Sequence, residues 1–116
     1  MRVAVELHLI DFDRKHRHIG PSLFETGYWS NISDERAQTL VDERAKIYLH
    51  DGQDMPSYIG GRITAFRTIP DSVTGSPRRI FTFRFIAAYE GKYSPQGWNW
   101  GQEQLCVYED REPLAA

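Results

Sequence analysis

Cysteine is nearly missing: Cys106 is the only one in 116 residues. A single thiol excludes an intrachain disulfide and a cysteine metal cluster, and it points to a reducing, cytoplasmic compartment. No apolar run approaches the roughly 20 residues that span a bilayer, so no membrane partner is expected. The first residues do not read as a basic segment followed by an apolar one, so no secretory signal is expected either. Charge of one sign is not in excess: 14 Lys and Arg against 16 Asp and Glu give a formal net charge of -2. Any nucleic-acid binding must therefore rest on a local patch. There is no nucleotide-binding Gly-rich loop, no nucleophile elbow, no HExxH pattern and no repeat, so no cofactor and no metal are implied.

What is present is an ordinary globular composition, 41% hydrophobic and 26% charged. It fits one domain over residues 1–116 with a fraying polar tail over 110–116. Val3, Val5, Leu7 and Leu9 alternate with Ala4, Glu6, His8 and Ile10, which predicts a half-buried strand. Residues 11–22 break that period and close on Gly20-Pro21, so a loop is expected. Its run Arg14-Lys15-His16-Arg17-His18 suits phosphate oxygens or plain solvation equally. Ser33 fits an N-cap, Asp34 and Glu35 suit the first turn, and Ala37, Leu40 and Val41 make an apolar stripe. Together these predict a helix over residues 33–43.

Ile47 and Leu49 against Tyr48 and His50 predict a strand over 46–50. A longer strand over 58–67 sets Ile59, Ile63 and Ala65 against Tyr58, Arg62, Thr64 and Phe66. Gly60-Gly61 inside it marks a bulge, a sharp bend, or close approach of a ligand or another backbone. Phe81, Phe83 and Phe85 share one face of a strand over 79–88 and are expected in the core. A Gly/Pro/aromatic loop holding Trp98 and Trp100 leads to a closing strand over 103–108 with Leu105 and Val107 inward. Five strands joined mostly by hairpins, with one or two short helices, define an α+β domain. Its strongly bent, mainly antiparallel sheet is expected to close into a small barrel.

The segments Trp29-Ser30-Asn31-Ile32, Ile47-Tyr48-Leu49-His50, Ser57-Tyr58-Ile59-Gly60-Gly61-Arg62-Ile63 and Arg79-Ile80-Phe81-Thr82-Phe83-Arg84-Phe85, with the helix between the first two, resemble the PUA-like superfamily. The EVE and YTH domains are the nearest likeness, over residues 28–89. The resemblance implies a small barrel that accepts an extruded, often modified, nucleobase of DNA or RNA in an aromatic pocket. The family's stacking tryptophan falls on Trp29 and the small polar residue after it on Ser30. The signature of the ASCH branch is absent, so hydrolysis is not implied.

A flipped base costs a few kcal/mol to unstack, and aromatic faces worth about 1 to 3 kcal/mol each offset most of that. The expected base pocket is Trp29 with Tyr28, Ser30, Asn31 and Ser57, joined by Trp98 or Trp100. Arg14, Lys15, Arg17, Arg62 and Arg84 are the candidates for phosphate contacts. A second reading is a protein or small-ligand module anchored on the same Tyr and Trp cluster without nucleic acid. A third is a small enzyme using Glu103 or Glu25 with a histidine. It has the least support, because the sequence places no such pair in reach.

Overall fold

The computed structural model describes residues 1–11, 13–70, 75, 77–95, 100 and 103–112. Seven strands form one sheet: β1 Arg2–Ile10, β2 Arg17–Gly20, β3 Leu23–Glu25, β4 Lys46–His50, β5 Ser57–Pro70, β6 Pro77–Phe85 and β7 Gln104–Asp110. The order is β2-β3-β6-β5-β4-β1-β7, with β2 and β7 as open edges. Among the described residues only β1 and β4 pair in parallel; the other ladders are antiparallel. This is an α+β, mainly β, domain.

Helix α1, Asp34–Asp42, forms where the local signals put it. The Ser33 hydroxyl accepts from Arg36 N at 3.1 Å, and Ala37 and Leu40 are the buried stripe. Its end is a Schellman turn, with Ala45 N on Leu40 O at 2.9 Å and Arg44 N on Val41 O at 3.0 Å. Arg44 takes the left-handed position of that turn at φ 47°. The helix packs on β1 and β5. The core beneath it is Ala4, Leu7, Leu9, Ile47, Leu49, Ile59, Ile63, Phe81 and Phe83.

Two bulges change which residues reach that core. The β1–β7 register shifts between Ala4 and Glu6, so Ala4 is in the core and Val5 is only half-buried. The β5–β6 register shifts between Ile63 and Ala65, which turns Ala65 outward and brings Phe66 against the core, 6.4 Å from the Phe81 ring. On β7, Cys106 and Tyr108 pack on the core, whereas Leu105 and Val107 lie opposite His8 and Glu6 on the other face. Phe85, expected in the core, is 39% exposed near the end of β6. The expected loop over 11–22 contains β2, and β3 follows it. Hence the described residues form seven strands rather than five. The expected frayed tail starts paired: Asp110 is in β7, and Arg111 N donates to Met1 O at 2.7 Å.

Gly60-Gly61 is explained by neighbouring backbone. A Cβ on Gly61 would run into the Arg84 carbonyl, and one on Gly60 would meet Ile47 O and Tyr89 Cβ. The pair lets β4, β6 and the short turn Ala87–Tyr89 close in on β5.

Candidate functional site

After β3 the chain runs antiparallel beside β6. Thr26 N donates to Phe81 O at 2.9 Å, and Trp29 and Arg79 exchange both backbone bonds at 2.8 and 2.9 Å. This bridge puts Trp29 on the Arg79 side of the segment, where its indole packs on the core. Tyr28, its neighbour in the extended segment, is 46% exposed and lies between two cations, Lys15 Nζ at 5.3 Å and Arg78 Cζ at 5.0 Å from its ring.

Asp11 holds the loop that delivers Lys15. Its carboxylate accepts from Lys15 N at 3.0 Å, His16 N at 3.3 Å and Tyr58 Oη at 2.7 Å, and meets His16 Nδ1 at 3.1 Å. Burial alone would raise this carboxyl, but the hydrogen bonds outweigh it and hold it below the usual carboxylate range. Burial and the Asp11 charge push the Tyr58 phenol far up in return.

A half-open cleft of about 280 Å³ results, lined by Tyr28, Trp29 and Ser30 together with Lys15, Arg78, Asp13, Glu103 and Ile10. Its size lies near the lower end of small-ligand sites. Trp29 Nε1 is buried and has no hydrogen-bond partner among the described residues. Two aromatic residues, two cations and three carboxylates, of which Asp11 is engaged by its own hydrogen bonds, suit a flat polar ring that carries both donors and acceptors.

The other expected pocket residues lie elsewhere. Asn31, at φ 62°, lines a separate concavity with Arg36 and Tyr108. Ser57 is buried, donating to Tyr89 O at 2.5 Å and accepting from Lys92 N at 3.0 Å. Trp100 is buried edge-on against His8 and His50, and its Nε1 donates to Ser94 Oγ at 2.8 Å. Trp98 lies outside the described residues.

The expected phosphate contacts divide in two. Arg14 is paired with Asp51 at 2.9 Å and stacks over Tyr58, and Arg17 is paired with Glu25 at 2.8 Å. Glu25 also takes Arg67 at 2.9 Å. The Arg67 hydrogen bonds and then those of Arg17 hold its carboxyl below the usual range against its burial. Arg62 and Arg84 are directly opposed on β5 and β6 and have no ion pair among the described residues.

A buried polar chain on the second sheet face was not legible in the sequence. His50 Nδ1 lies 2.8 Å from Met55 O, which only accepts, so that nitrogen carries the hydrogen. Burial pushes His50 toward its neutral form, leaving Nε2 to accept from His8 Nδ1 at 2.8 Å. His8 Nε2 then faces Glu6 Oε2 at 2.7 Å, a contact that requires one proton between them. Among the described residues neither enzyme candidate shows a histidine contact: Glu25 is held by arginines, and Glu103 lies on the cleft rim. Among the described residues no group of three His, Cys, Asp or Glu is placed to hold a metal.

No family model, no curated protein and no solved structure matches the chain.

Proposed function

We propose that this protein binds nucleic acid and takes a flipped, possibly modified, base into the Tyr28–Trp29 cleft, as its resemblance to PUA-like domains implies. The observation that carries the reading is Trp29. It lines a cleft of about 280 Å³ beside exposed Tyr28, and its buried Nε1 lacks an acceptor among the described residues. A base supplies a ring for stacking beside the two aromatic residues. Ser30, Asp13 and Glu103 on the rim suit its exocyclic donors, and Lys15 and Arg78 suit the adjoining phosphates. The sheet is open at β2 and β7, so the proposal takes the family's base site without its closed barrel.

The acid rim supports a second reading. Asp13 and Glu103 repel phosphates and favour a small ligand or a peptide carrying a cation. Fluorescence anisotropy with labelled DNA and RNA oligonucleotides, with and without modified cytosine or adenine, separates the two. A base reader binds with a steep salt slope and prefers one base form. Absence of oligonucleotide binding at low salt would give the cleft to the second reading.

A further inference from the structure

Across the sheet, Lys46 on β4 is opposite Arg62 on β5, and Arg62 is opposite Arg84 on β6. Three cations thus stand in one cross-strand row, on one face, in a chain whose net charge is -2. Like charges directly opposite destabilise a sheet. Arg44 joins them from the α1–β4 turn, and its carbonyl accepts from Arg62 Nη1 at 3.1 Å. None of these four has an ion pair among the described residues. Arg44, Arg62 and Arg84, with Thr64 and Val41, line a concavity of about 360 Å³. Arg44 is also held at φ 47°, a position where glycine would be unstrained. The fold therefore tolerates both repulsion and backbone strain to keep guanidinium groups around one hollow.

We infer that Arg44, Arg62 and Arg84 form a phosphate-binding site. This rests on the base-binding reading for its ligand: the phosphate is one of the backbone of the nucleic acid whose base enters the cleft. The two places are joined along β6. Arg78 lines the cleft, and Arg84, six residues on, shares its face of the strand. At about 3.3 Å per residue they are roughly 20 Å apart. Eight nucleotides span that distance even at the duplex rise of about 3.4 Å per step, whereas a dinucleotide, with one internucleotide phosphate, does not. Guanidinium groups with no carboxylate partner keep their donors for a phosphate, whereas Arg14 and Arg17 have theirs engaged by Asp51 and Glu25.

The test uses the full chain, Arg84→Ala and the double variant Arg44→Gly/Arg84→Ala, probed with 2-, 8- and 12-nucleotide single strands and, separately, with inorganic pyrophosphate. Removal of an exposed repelling charge should leave the melting temperature unchanged or raise it, so loss of fold will not confuse the result. The expected result is weaker binding of the 8- and 12-mers by a similar factor for every sequence. The log-log salt slope should fall by about one per contact removed, with little change for 2-mers, which cannot reach both places. Base preference should persist, whereas Trp29→Ala should abolish preference and keep the salt slope. Parent-like binding of the 12-mer and of pyrophosphate by the double variant would overturn the site. If the parent binds pyrophosphate through these arginines but no oligonucleotide, the phosphate site stands and the nucleic-acid reading falls.

Discussion

Trp29 packs on the core with part of its ring and lines the cleft with the rest, so truncation to alanine mixes two losses. Trp29→Ala should remove about 1 to 3 kcal/mol of base binding and also lower stability by leaving a void. Trp29→Phe separates them. It deletes a buried donor whose unmet bond costs about 1 to 3 kcal/mol, which offsets the packing lost with the smaller ring, so melting should change little. Binding should weaken if the ligand accepts from the indole N–H. Parent-like affinity in both variants, measured by anisotropy, would take the tryptophan out of recognition. Arg44 is the second informative residue. As the left-handed residue of a Schellman turn it carries a Cβ where glycine is favoured, so Arg44→Gly should stabilise by about 1 kcal/mol in urea denaturation. Glycine keeps the carbonyl that accepts from Arg62, so a loss of stability would mean that the Arg44 side chain contributes more than its backbone strain costs.

At the scale of elements, α1 was legible because its information is local: a cap, two acidic residues and a stripe within ten positions. Strand faces were legible only up to the first bulge. The shifts at Val5 and Thr64 arise from pairing with β7 and β6, far along the chain, so alternation alone assigned Ala65 inward and Phe66 outward. β2 and β3, with 4 and 3 residues, are too short to show a period. The cleft was legible in the contiguous Tyr28, Trp29 and Ser30, but Asp13, Arg78 and Glu103 arrive from three other segments that only the fold brings together. The strand β6 offers a paired test of the face assignment. Phe83, fully buried, should cost about 3 to 5 kcal/mol on truncation to alanine, whereas Phe85, 39% exposed, should cost much less. Equal melting losses would mean that the end of β6 is covered.

For the whole molecule, pH reports which ionisable groups the fold has committed. His50 is depressed chiefly by burial, so it stays neutral in the folded chain at pH values where the unfolded histidine, near 6.5, takes up a proton. Its contribution is present above that value and is lost as pH falls below it. Asp11 and Glu25 are depressed carboxyls. Their contributions are present above the ordinary carboxylate range, near 4, and are lost as pH falls through it. In each case the unfolded state binds more protons than the native one, so the three act in the same direction and stability should fall in two stages on acidification. The first stage belongs to His50, and the difference in melting temperature between the parent and His50→Gln should shrink from pH 7.5 to pH 5. The second stage should persist in His50→Gln and be reduced in Asp11→Asn, which keeps the shape of the side chain that holds Lys15, His16 and Tyr58 without its charge. A parent-minus-variant difference that is flat between pH 7.5 and 5 would show that His50 is as readily protonated in the fold as outside it. The chain from Met55 through His50 and His8 to Glu6 would then need a second proton.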